Sequence, residues 1–211
     1  MSISSIISRP PLLAPSGATI GISGGEPLLH KERLFGLLAR VVALRSDLSF
    51  HILTNAQHVD EDDLSVLRSL PASRVLWGIP LYSTLPFHHD RIVQKEGAFD
   101  RLMKSILLLA RAGAAIELRT VVTRENVDVL PSLAALVARR LPFIDIWAVM
   151  QLENIGFGRM NWDRLFFDNG ADFSILARAI DIASARGIRV ELYNFPLCTV
   201  PECYRSFARS T

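Results

Sequence analysis

The chain reads as an α/β protein built on a parallel sheet, and three observations lead there. Short β-rich runs alternate with longer runs of helical period along almost the whole sequence. The links between strand runs are of helix length, so hairpins cannot join them and neighbouring strands must run parallel. The helical runs carry their apolar residues on one stripe, as helices lying on a sheet do. Right-handed crossovers repeated this often give a doubly wound sheet or a barrel, complete or partial. Both architectures place function at the C-terminal ends of the strands.

The elements follow in order. Ala18–Ser23 (ATIGIS) is a short strand closed by Gly24-Gly25. Lys31–Arg45 puts Leu34, Leu37, Leu38, Val41 and Val42 on one helical stripe. Ser49–Leu53 is the second strand. Glu61–Leu70 opens with acidic residues and stops at Pro71, as a helix should. Arg74–Tyr82 is the third strand, with Pro80 near its end, where a missing N–H is tolerated. A loop containing His88, His89 and Asp90 leads to a helix over Phe99–Ala112 that ends at Gly113. Strand four is Ala115–Thr123, followed by a helix over Val129–Leu141 and strand five, Ile144–Met150. A last helix, Asp172–Arg186, is closed by Gly187 and precedes strand six, Ile188–Tyr193.

Composition narrows the function. With 211 residues the chain is one domain with at most a small appendage. Half of the residues are hydrophobic, which excludes a disordered tail protein. Lys+Arg 23 against Asp+Glu 21 leaves a formal charge of +2, too near balance to argue for a nucleic-acid partner. No apolar run approaches the roughly 18 residues that span a membrane. The N-terminus lacks a basic region followed by an apolar one, so a cytoplasmic location is expected. Only two cysteines occur, Cys198 and Cys203, in LCTVPECY. They supply half of a tetrahedral metal site, or are simply one buried and one half-exposed thiol.

The strand ends collect polar residues. The first runs into Gly24-Gly25-Glu26-Pro27, where the glycines free the backbone and Glu26 offers a carboxylate to an ammonium group. The plain alternative is a tight turn with Pro27 at the first position of the next helix. The others end in Thr54-Asn55, Tyr82-Ser83, Thr123-Arg124-Glu125-Asn126 and Gln151-Leu152-Glu153. Arg119 interrupts an apolar strand, so its charge must find a partner or reach the mouth.

In this order, SGGEPLL, HILTN, IPLYS with HHD, GAFDRLMKSILLLARAG, ELRTVVTREN and the loop around Gly156 resemble the radical SAM superfamily. PLYSTLPFHHDRIVQKEGAFD, LPFIDIWAVMQLENIGFGRMNW and LYNFPLC further resemble the maturases of His-Xaa-Ser repeat peptide systems. The resemblance covers the chain from about Ala18 onward. It implies a partial (β/α)6 TIM-like barrel of the radical SAM type, missing its first βα unit. The implied organisation is an irregular segment 1–17, a partial barrel 18–187 and a C-terminal extension 188–211.

The implied activity is reductive cleavage of S-adenosylmethionine (SAM) by a [4Fe-4S] cluster, followed by radical chemistry on a peptide. The resemblance gives Gly24, Gly25 and Glu26 the methionine amino group of SAM. It places Ser83 and Arg119 near the ribose and carboxylate, with Pro27, Asn55, Glu153 and, more weakly, Asn126 around the site. His88, His89 and Asp90 fall in a variable loop and are expected at the surface. Cys198 and Cys203 are expected as remaining ligands of an auxiliary Fe–S or metal site. A companion maturase, and a dimer through the exposed first strand, are the expected partners beside the peptide.

The sequence departs from the family at the cluster. The family pattern is Cys-x3-Cys-x2-Cys ahead of GGEP, and no cysteine precedes Cys198 here. The expectation is therefore a truncated or cluster-less chain. The alternatives are a non-catalytic SAM- or peptide-binding protein and an unrelated α/β enzyme that uses carboxylates and histidines.

Overall fold

The computed structural model describes residues 14–209. Most of the segment 1–17, including Pro10-Pro11, therefore lies outside the described residues. The chain divides into two compact units, one running to Ile79 with Phe99–Glu117 added, the other comprising Pro80–Ala98 and everything from Leu118 on.

The first unit holds β1 (Thr19–Ile22), α1 (Lys31–Leu44), β2 (Ser49–Leu53), α2 (Leu64–Ser69), β3 (Val75–Pro80, its last residue in the other unit) and most of α4 (Ala98–Arg111). β1 pairs with β2 and β2 with β3, both parallel. Its core is the meeting of one helix stripe with one sheet face. Leu34, Phe35, Leu38 and Val41 of α1 are buried, as are Phe50, Ile52 and Trp77 of the strands. The Phe35 and Trp77 rings meet edge-on at 6.4 Å. Phe35 replaces Leu37 and Val42, which stay half-buried, on the expected stripe.

β4 (Ala115–Val122) begins in the first unit and ends in the second. The second unit continues with α3 (Pro86–Val93), α5 (Leu130–Arg140), β5 (Ile146–Gln151), the short helices α6 (Gly156–Met160) and α7 (Trp162–Leu165), α8 (Ser174–Ser184), β6 (Arg189–Tyr193) and β7 (Ala208–Arg209). β5–β6 and β6–β7 are parallel pairs. Buried Trp147 donates its indole N–H to the Thr120 hydroxyl at 2.9 Å, and that hydroxyl donates to the Leu81 carbonyl at 2.7 Å. No polar atom of that trio is stranded by its burial.

The strand order is β1-β2-β3-β4-β5-β6-β7. A doubly wound sheet would reverse its order at a switch point, so the unbroken order identifies the partial (β/α) barrel. The expected fold class is the fold observed.

Three local expectations are corrected. His88, His89 and Asp90 lie on a helix, α3, which starts with Pro86 and stops at Gln94 in the left-handed conformation. Its two histidines are buried, not superficial. The sheet has a seventh strand, too short to carry a periodic pattern. It is held by Glu191, which accepts from the Tyr193 hydroxyl at 2.6 Å and lies 3.2 Å from the Arg209 guanidinium. The loop around Gly156 contains two short helices. Among the described residues, no helix is long and apolar enough to cross a membrane.

β1 has one sheet neighbour, and its Thr19 and Gly21 are exposed, as expected of an edge. The connection from α1 into β2 is fixed by Arg74. Its guanidinium donates to the carbonyls of Val42 (2.9 Å), Leu48 (2.7 Å) and Arg45, satisfying the end of α1 with a cation. Arg74→Met keeps the stem but strands three carbonyls, and should lower the free energy of urea unfolding by about 2–3 kcal/mol. A change too small to measure would show that water replaces the guanidinium there.

Candidate functional site at the strand ends

In the first unit the site is organised by one carboxylate. Glu26 follows Gly24 (φ 95°) and Gly25 (φ 59°), two left-handed positions in succession with open space around both. Glycine is favoured there by backbone conformation, not by crowding. The turn delivers Glu26 to the N-cap of a 3-10 turn, Pro27–His30, with Pro27 at its first position as expected. Oε1 of Glu26 accepts the Leu28 N–H at 2.9 Å and the Thr54 hydroxyl; Oε2 accepts the Asn55 N–H at 2.7 Å. The carboxylate thus joins the end of β1 to the end of β2.

A carboxylate offers about four acceptor positions, and three are filled. One position on Oε2 remains, and Glu26 is half-buried. Asn55 contributes its backbone to this cluster; its side-chain oxygen is taken by the Gln57 N–H at 3.0 Å. Thr54, 5% exposed, was not singled out by sequence, although a hydroxyl directly before Asn55 at a strand end is the signal for it. A neighbouring cleft of about 420 Å³ is lined by Leu28, Leu29, Lys31, Gln57, His58, Val59 and Asp60. Burial pulls the Lys31 pKa down, but Asp60 and Asp63 bond its ammonium and the net effect is upward. The cation there is already neutralised, so the cleft is not an anion site.

In the second unit, Ser83 is fully buried after β3, and its hydroxyl accepts the Leu85 N–H at 3.1 Å, shaping the entry to α3. Arg119 of β4 is half-buried and approaches the Met150 sulfur of β5 at 3.2 Å. Asn126 is buried, 1% exposed. Its side chain accepts the Thr123 N–H at 2.8 Å and donates to the Val121 carbonyl at 2.9 Å, closing the end of β4 on itself. Glu153 is exposed beyond β5. Gly158 is required nearby, because a Cβ there would meet the Glu153 carbonyl oxygen at 2.4 Å.

Cys198 and Cys203 are both exposed free thiols, which removes the reading of one as buried. Among the described residues no three His, Cys, Asp or Glu side chains are grouped to hold a metal. A [4Fe-4S] cluster needs more thiolates than two cysteines provide, so these residues do not fit one.

His89 of α3 is 2% exposed, and its Nδ1 accepts the Tyr82 N–H at 3.3 Å. Burial lowers its pKa to about 4, against an upward pull from Asp90. The folded chain therefore holds His89 neutral where the unfolded chain would protonate it. Its contribution is complete above about pH 6.5 and is lost as pH falls toward 4. His89→Phe should flatten the loss of stability between pH 7 and pH 4 by roughly 2–3 kcal/mol, read from urea titrations at each pH. An unchanged pH slope would place His89 in contact with solvent.

No protein-family profile matches the chain, and no curated protein matches it in sequence. Solved structures do match in fold. A domain of pyruvate-formate lyase-activating enzyme from Bacteroides vulgatus aligns over 84% of this chain and 99% of its own, with 16% identity and a TM-score of 0.62. SuiB from Streptococcus suis aligns over 84% of this chain with 16% identity and a TM-score of 0.65. SuiB has also been solved bound to SAM, with a TM-score of 0.64, and to its precursor peptide SuiA. The anSMEcpe structure with bound SAM aligns over 90% of this chain with 16% identity and a TM-score of 0.57. The chain spans only 39% of SuiB and 53% of anSMEcpe. At these identities the likeness is one of fold: this chain has the partial barrel found in enzymes solved with SAM bound.

Proposed function

We propose that the chain is a SAM-binding protein of the radical SAM superfamily that acts on a peptide. The observation that carries this reading is the Gly24-Gly25-Glu26 turn. It holds a half-buried carboxylate at the end of the first strand with one acceptor position unfilled. An ammonium group such as that of the SAM methionine end fits this position, as a charge-assisted hydrogen bond. Pro27 fixes the turn, and the Asn55 backbone holds the carboxylate's other edge in place. Ser83 and Arg119 are proposed to lie toward the ribose and carboxylate of SAM, and Glu153 at the mouth.

The fold shared with SuiB supports a peptide as the second ligand, since SuiB has been solved with one. A His-Xaa-Ser repeat peptide, a companion maturase and a dimer built on the open edge of β1 belong to the same proposal. So does a partial metal-ligand role for Cys198 and Cys203, completed by groups from elsewhere. Because the residues present do not fit the cluster, what is proposed for them is binding. That mismatch favours a second reading, SAM or peptide binding without radical chemistry.

Calorimetry with SAM on the wild-type chain and on Glu26→Gln tests the site, with thermal unfolding measured in parallel. The expected wild-type affinity is micromolar at best, and Glu26→Gln should weaken it about tenfold or more. Thr54→Val removes one internal bond of the same carboxylate. It should lower the melting temperature while keeping SAM affinity within about threefold. Equal affinity for wild type and Glu26→Gln would return the turn to a purely structural role, and no binding to either would reject SAM as the ligand.

A further inference from the structure

The sheet of the first unit has two chemically different faces. Phe50, Ile52 and Trp77 point to the helices, as the Phe35–Trp77 contact shows. The alternate residues point the other way. There, parallel register sets Gly21 of β1, His51 of β2 and Leu76 of β3 side by side. His51 Nε2 is shut off from solvent and lies 3.2 Å from Oε1 of Glu117 on β4, close enough for electrostatic contact but without an aligned hydrogen bond. The His51 side chain keeps 25% of its surface exposed, whereas that of Glu117 keeps 3%.

A lone pair on Nε2 would face the carboxylate oxygen and be repelled, so Nε2 is the protonated nitrogen and Nδ1 the basic one. Among the described residues, Nδ1 takes no hydrogen bond from the protein and is not shut off from solvent. Its strand neighbour Gly21 has open space where a Cβ would stand. A pair with only a packing role would bury both partners. Here the carboxylate is buried and the imidazole opens onto an unfilled place.

We propose that His51, held by Glu117, is a proton-accepting site for a ligand O–H or N–H group lying over Gly21. His51 is the group that meets the ligand, and Glu117 is a positioning residue. Nδ1 accepts the hydrogen bond of the ligand O–H or N–H; when the proton moves to Nδ1 the ligand keeps the bonding pair as its conjugate base, and the imidazolium formed sits 3.2 Å from the Glu117 carboxylate. The assignment does not depend on SAM, because every residue in it lies outside the Gly24–Glu26 turn.

Diethyl pyrocarbonate, an electrophile that reacts with an unprotonated and accessible imidazole nitrogen, tests this on the full chain at pH 8. Peptide mapping by mass spectrometry gives the rate at each histidine, with exposed His30 as the internal reference. His51 should react at a rate comparable to His30. Glu117→Gln, nearly isosteric, should slow His51 roughly fivefold or more and leave His30 unchanged. Gly21→Val fills open space at an unstrained position and should shield His51 to a similar degree. An unreactive His51 in the folded wild-type chain, or a His51 rate indifferent to Glu117→Gln, would overturn the proposal.

Discussion

The Glu26 carboxylate is the interaction on which the candidate site depends. Two parallel strands of a βα repeat end side by side, but nothing in their ladder fixes the loops that leave them. Glu26 does so by taking a backbone N–H from its own turn, a hydroxyl from Thr54 and a backbone N–H from Asn55. The geometry rests on Gly24 and Gly25, which turn the chain through left-handed conformations that glycine adopts without the steric cost other residues meet. The plain structural turn is what the hydrogen bonds show, and the ammonium clamp proposed for Glu26 would use the same arrangement. The carboxylate builds the turn with three acceptor positions and leaves one unfilled.

The same economy appears across the sheet faces. Helix stripes consume the apolar residues of each strand, and the intervening positions are left to polar chemistry: His51 and Glu117 in one unit, Arg119, Glu191 and Tyr193 in the other. Each charge in these strands is held by a named partner, because an isolated charge between apolar neighbours would lose its hydration without return. Glu191 is taken up in anchoring the two residues of β7. The His51–Glu117 contact links β2 to β4 across 66 residues.

Fold likeness and cysteine content are separate observations in this chain. Structures solved with SAM bound share its partial barrel at 16% identity, yet the cysteines are two in number and exposed. A βα sheet is stabilised by burial along its length, whereas a cluster depends on a few thiolates at a loop.

By itself the sequence determined the alternation of strand and helix, because a period of two or of 3.6 is written in the spacing of apolar residues. It also determined the parallel pairing, because helix-length links permit nothing else. The Gly24-Gly25-Glu26-Pro27 turn was legible for the same local reason, since its glycines and its proline act on their own backbone. Tertiary structure alone decided the rest. The helix over Pro86–Val93 is half polar and was hidden by His-His-Asp; it exists because His88 and His89 find buried places. β7 is two residues long and exists because β6 and Glu191 receive it. Thr54 meets Glu26 across 28 residues, and Glu117 meets His51 across 66. Arg119 was legible as a charge in an apolar strand, and Glu117, two residues earlier on the same strand, carried the same signal. What the strand could not say is which partner faces it, because that is set by the register of neighbouring strands and not by the residues on either side.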